Sequence, residues 1–126
     1  MTFKRLALAS LLAVAAFGAQ AADKYDIDPT HTQVEFTYSH FGFSNITGRF
    51  DQVESEFLFD PAKPEASSVK VTIPVASLST GVEKLDQHLL SADFFDAAQF
   101  PTATFESTRV TVSGERTLAV AGNLTI

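Results

Sequence analysis

Apolar and polar residues alternate with a period of two over most of the chain beyond residue 31. Over Thr32–His40, Val34, Phe36, Tyr38 and His40 alternate with Gln33, Glu35, Thr37 and Ser39. That pattern predicts a strand with one face toward a core and one toward water. His40–Asn45 then gathers Gly42, Ser44 and Asn45, the composition of a turn. A second run, Ile46–Phe59, sets Val53, Phe57 and Phe59 against Glu54 and Glu56. It reads as one bent strand or as two, with Gly48 marking a bend or bulge of the kind barrels need. Asp60–Pro64 breaks the pattern, and Ser68–Ile73 resumes it with Val69, Val71 and Ile73 against Lys70 and Thr72. Pro74 limits that strand.

The period changes in the middle of the chain. Thr80 stands three residues before Glu83, the spacing of a capping box, and Val82, Leu85 and Leu89 follow at helical intervals. A short helix is expected from Gly81 or Val82 to Leu90, then an irregular stretch, Ser91–Phe100, ended by Pro101. Strands return over Thr102–Val112, which carries Phe105, and over Thr117–Ile126, which puts Leu118, Val120, Gly122, Leu124 and Ile126 on one face. Ser113-Gly114-Glu115-Arg116 joins them as a hairpin turn. Antiparallel strands, short turns and one helix predict an all-β fold, a closed or nearly closed barrel. The last strand stops mid-pattern with an unpaired edge, so the expectation is a C-terminally truncated domain whose returning strands are missing.

The segment before the first strand has a different character. Lys4 and Arg5 precede an uncharged apolar run, Leu6–Phe17, and Ala19-Gln20-Ala21 supplies a small-x-small site. These are the parts of a secretory signal, with cleavage expected after Ala21. The run falls short of the roughly 20 residues a membrane span needs, so no stable membrane insertion is expected. The expected organisation is a signal at 1–21 and one domain at 22–126. Loss of Lys4 and Arg5 takes the formal charge from −6 to −8, which argues against nucleic acid and anionic lipid as partners. There is no cysteine, hence no disulfide, thiol nucleophile or thiolate metal site. Ten Phe and two Tyr follow residue 21, a heavy aromatic load that either packs a core or lines a cavity.

Polar candidates are few. His31, His40 and His88 are the histidines, and with Asp86 they lack ligand-pair spacing, so no metal site is expected. His31 and His88 are read as backbone hydrogen-bonding groups. Ser77, Ser79, Thr80, Asp86 and His88 share a region, yet neither a nucleophile elbow nor a phosphate-cradling glycine loop is present, and catalysis is not expected. Arg49 and Arg109 are read first as cross-strand partners of Glu residues, and second as groups that greet a ligand headgroup.

An ordered set of short motifs resembles a YceI-like domain. It runs through Tyr25-Asp-Ile-Asp-Pro-Thr-His31, Val34-Glu-Phe36, Ser39-His40, Ile46-Thr-Gly-Arg-Phe50 and Phe57-Leu-Phe-Asp60. Its most distinctive part is Ser77-Leu-Ser-Thr-Gly81, Asp86-Gln-His88-Leu89, Ser91-Ala-Asp-Phe-Phe-Asp96 and Phe100-Pro101, and it ends with Phe105-Glu-Ser107 and Val120-Ala-Gly-Asn-Leu-Thr-Ile126. The resemblance implies a periplasmic, lipocalin-like protein: an extended eight-stranded antiparallel β-barrel that binds an isoprenoid lipid of polyprenyl or quinone type for transport or storage. It implies no cofactor beyond that lipid, and family members of this type can pair as homodimers. A different class, a stress-linked scaffold that binds proteins, is the alternative. On the lipid reading, Val34, Phe36, Tyr38, Phe50, Val53, Phe57, Phe59, Val71, Ile73 and Phe105 line the pore, and Leu85 and Leu89 close one end. His31, Arg49 and His88 are candidates for the mouth. Phe41 and Phe43 either stand exposed at its rim or tuck inward.

Overall fold

The computed structural model describes residues 22–126, so the signal read at 1–21 lies outside the described residues. The strands are β1 (Asp23–Tyr25), β2 (Val34–His40), β3 (Ser44–Phe50), β4 (Glu54–Phe59), β5 (Ser68–Pro74), β6 (Leu78–Ser79), β7 (Thr102–Gly114) and β8 (Thr117–Thr125), with helix α1 (Glu83–Leu90) between β6 and β7. All pairings are antiparallel.

The expected barrel is overturned. The strands form two separate sheets, β1-β4-β5-β7-β8 and β2-β3-β6, and no ladder joins them. The reason lies between β3 and β4, where a closed sheet would continue. Asp51 N donates to Ser77 O at 3.0 Å and Gln52 N to Ser77 Oγ at 3.2 Å. The backbone there is committed to the turn before β6, and β4 pairs with β1 and β5 instead. The two sheets share one core: Phe50 and Leu78 from the smaller sheet, Ile73 and Ala103 from the larger, with Val75 and Leu89 between them.

Of the two readings of Ile46–Phe59, the two-strand one holds: β3 and β4 are separated at Asp51–Val53. Gly48 makes no bulge, because β2 and β3 stay in register from Val34↔Phe50 to His40↔Ser44. A Cβ at Gly48 would run into the Phe36 ring, so this glycine is needed for close approach. The register breaks lie in β7, at Ser107/Arg109 and at Val112/Gly114. The first turns Val110, rather than Arg109, to the buried side (7% exposed). Pro74 is the last residue of β5, opposite Thr102.

The capping box does not form. Val82 occupies the N-cap position without a side-chain bond. Asp86 reaches back instead, and its Oδ1 accepts from Thr80 N at 2.7 Å and from Thr80 Oγ1 at 2.6 Å. β1 and β6, three and two residues long, are too short to show a period in the sequence.

Candidate ligand-binding site

The inner faces of the two sheets are built by alternation. In the smaller sheet the pairs Val34↔Phe50, Phe36↔Gly48 and Tyr38↔Ile46 share a face. In the larger, Tyr25↔Phe57, Ser55↔Val71, Val71↔Phe105, Ile73↔Ala103 and Phe105↔Leu124 do the same. Phe50, Ile73 and Leu89 are buried in the core, and Val34, Phe36, Val71 and Leu85 pack half-buried against it. Tyr38, Val53, Phe57, Phe59 and Phe105 are half-buried. Among the described residues no large side chain is fully buried.

The rings gather in two groups. Phe36, Phe50 and Phe95 stand 5.6 to 6.1 Å apart by centroid, in tilted and edge-to-face arrangements. Tyr25, Phe57 and Phe59 form the second group at 5.7 to 6.2 Å. Phe105 lies over Gly122, where a Cβ would come within 2.5 Å of its Cζ. Among the described residues, one buried side-chain polar atom lacks a hydrogen-bond partner: Ser55 Oγ, directly opposite Val71.

Beside the first group opens a cleft of about 330 Å³ lined by Phe94, Phe95, Phe100 and Ile126. The chain after α1 shapes it. Phe95 N donates to Leu89 O and Ala97 N to Leu90 O, both at 3.0 Å, and Asp96 takes φ +45°. Gln99 N and Phe100 N both donate to Asp96 O at 2.9 Å. This folds the segment back so that Phe95 meets Phe36 and Phe50 while Phe94 and Phe100 stay more than half exposed. Sequence reasoning missed these three phenylalanines because Ser91–Phe100 has no period. The adjacent pair Phe94-Phe95 and the Phe100 before Pro101 were the available signal.

The candidate mouth residues are not brought together. His31 Nδ1 lies 2.7 Å from Asp28 Oδ2 in the exposed turn before β2. Arg49 stands opposite Glu35 across the β2–β3 ladder, as a cross-strand neighbour, and its Nε donates to Asp51 Oδ1 at 2.6 Å. His88 Nε2 is 3.4 Å from Asp93 Oδ2, and its ring meets Phe94 edge-on at 5.0 Å. His88 alone of the three therefore borders the aromatic cleft. Both paired histidines have carboxylates for ring partners. Asp28 is held below the usual carboxylate range, chiefly by the Thr30 hydroxyl and then by His31.

The polar groups near α1 are occupied structurally. Ser77 Oγ donates to Pro74 O at 2.7 Å and accepts from Gln52 N. Thr80 is tied to Asp86. Among the described residues no three His, Cys, Asp or Glu side chains are grouped as a metal site. Nor is any helix there long and apolar enough to cross a membrane.

Comparison with known proteins gives a consistent picture. A family model described as "YceI-like domain" matches residues 25–126. A UPF0312 protein of Azotobacter vinelandii is 46% identical over 99% of this chain and 65% of its own length. One from Vibrio cholerae is 42% identical over 99% of this chain and 66% of its own. The chain thus spans just under two thirds of the length of these relatives. Among solved structures, Burkholderia cenocepacia BcnA superposes with a TM-score of 0.74 at 33% identity, covering 80% of this chain and 63% of BcnA. A Campylobacter jejuni YCEI protein superposes at 0.62 with 35% identity, covering 82% and 61%.

Proposed function

This chain belongs to the YceI-like domain family, and from that premise we propose that it binds a long, slim apolar molecule, an isoprenoid lipid of polyprenyl or quinone type, along the space between its two sheets. The observation that carries the reading is the half-burial of Val34, Phe36, Tyr38, Phe57, Phe59, Val71 and Phe105. These residues lie on the inner faces of the two sheets, where an apolar guest can cover them. A guest covering them would gain about 0.8 kcal/mol per CH₂ removed from water. A neutral hydrogen bond nets about 1 kcal/mol, so the tail sets affinity and polar groups set direction. Ser55 Oγ, buried and unpartnered, is suited to donate to a ligand oxygen.

The aromatic cleft, about 330 Å³, is at the small end of ligand sites, which run from about 300 to 1,000 Å³. It suits one end of a chain-like ligand better than the whole of it. His88 at its border is the candidate for meeting the headgroup. The leader pattern at Met1–Ala21 supports export, and we place the protein in the periplasm as a carrier or store for this lipid.

Organic extraction of gently purified full-length protein, followed by mass spectrometry, tests the reading. A prenyl lipid is expected from the wild type, with at least a tenfold loss in Val71→Asp if the variant keeps a wild-type circular dichroism spectrum. An extract free of prenyl lipid from the wild type overturns the reading and favours the scaffold alternative.

A further inference from the structure

The hairpin between β2 and β3 ends in an unusual tip. The two strands stay in register to the last pair, His40↔Ser44, and Phe41-Gly42-Phe43 projects beyond it. Phe41 and Phe43 are 83% and 93% exposed, the two most exposed large apolar residues among those described. Phe41 (φ +53°) and Gly42 (φ +75°) both adopt left-handed backbone. Two such residues in succession suit Asn-Gly, and a phenylalanine at the first is held there against its own preference. Folding stability does not explain a strained residue that also exposes its ring. Function at the tip does.

Two further features say what the tip meets. From Thr37 to Gly48 there is no Asp, Glu, Lys or Arg, although the chain as a whole is 19% charged. Two of the three backbone donors at the tip are also satisfied internally. Phe43 N donates to His40 O at 3.1 Å and Gly42 N to Ser39 Oγ at 3.2 Å. The His40 ring stacks edge-on against Phe41 at 4.6 Å. A segment without Asp, Glu, Lys or Arg, with two of its three tip amides bonded and two rings outward, suits a water-poor medium better than a charged turn does. The other long hairpin, β7–β8, turns through Glu115 and Arg116 and has none of these properties.

We propose that the β2–β3 tip is a shallow membrane-insertion element that places Phe41 and Phe43 at the headgroup–acyl boundary of a neutral, zwitterionic phospholipid surface. The net negative charge of the chain disfavours anionic lipid, so apolar burial rather than electrostatics drives the contact, and salt does not release it. A protein partner is the less suitable occupant, because a protein interface surrounds its apolar anchors with a polar, often charged rim that this segment lacks. The proposal goes beyond ligand binding and stands without it.

The chain has no tryptophan, so Phe43→Trp introduces a single fluorescent reporter at the tip. With phosphatidylcholine vesicles its emission is expected to shift to the blue, at low and high salt alike, and to be quenched by acyl chains brominated near the headgroup. Arg116→Trp on the β7–β8 turn is expected to show neither effect. The double variant Phe41→Asn/Phe43→Ser is expected to lose vesicle affinity by about tenfold or more per ring. Its Tm is expected to hold or rise, because asparagine suits the left-handed position. Emission from the Phe43→Trp variant that is indifferent to vesicles overturns the proposal. So does binding that needs anionic lipid, equal shifts at both reporters, or burial of the tip reporter by self-association without lipid.

Discussion

Two glycines in strand interiors are both required by close approach at the level of single residues. Phe36 lies over Gly48 and Phe105 over Gly122, and in each case a Cβ would collide with the ring, at Gly122 also with the Glu106 carbonyl oxygen. In the sequence, an isolated glycine in a strand pattern reads equally as a bend or as a close approach, and the deciding fact is a ring on another strand. Gly48→Ala is expected to cost about 2 kcal/mol by forcing the Phe36 ring aside. A chemical denaturation series with Phe36→Leu/Gly48→Ala should recover part of that loss. Additive costs would contradict the contact.

Asp28 gives a pH-dependent counterpart. Its carboxyl accepts from Thr30 N and Thr30 Oγ1 and meets His31, and it is held below its ordinary value of 3.8. A lowered carboxylate pKa means that the turn's bonds are intact above the ordinary value and are lost as pH falls through the lowered one. The Thr30 amide resonance should therefore titrate with a midpoint below 3.8, and lose that transition in Asp28→Asn.

Among the elements, the long ones are legible in the sequence and the short ones are not. β2, β5, β7 and β8 declare themselves by alternation, and α1 by Leu85 and Leu89. β1, β6 and the folded-back Ser91–Phe100 segment carry too few residues or no period, and tertiary contacts place them. The start of α1 shows how a correct element can rest on a wrong contact. Thr80 and Glu83 have capping-box spacing, but the chain holds its helix start through Asp86, whose Oδ1 takes two bonds from Thr80. Asp86→Ala is accordingly expected to destabilise the fold by about 1–3 kcal/mol. Glu83→Ala should cost only a few tenths, about the worth of one exposed helical side-chain pair. Thermal or urea unfolding distinguishes the two, and the reverse order would restore the capping box.

For the whole molecule, the period-two pattern correctly gives antiparallel strands with one apolar face each, but it says nothing of which edges pair. That is why the pattern predicts a barrel where the described residues form two sheets. The shared core of Phe50, Ile73, Val75, Leu78, Leu89 and Ala103 joins the sheets at one place and leaves many inner-face rings half covered. The proposed site takes its apolar walls from residues that alternation reveals. Its aromatic cleft comes from Phe94, Phe95 and Phe100, which only the fold brings together. Chain-like apolar ligands fit such a surface because their affinity grows with length and needs few polar contacts.

The central claim is that the half-covered inner faces hold a guest. Native mass spectrometry of full-length protein released under gentle conditions tests it most directly. The account predicts a species heavier than the polypeptide by the mass of one prenyl lipid, which collisional activation removes. A spectrum containing the bare polypeptide alone, under conditions that preserve other lipid complexes, would contradict it.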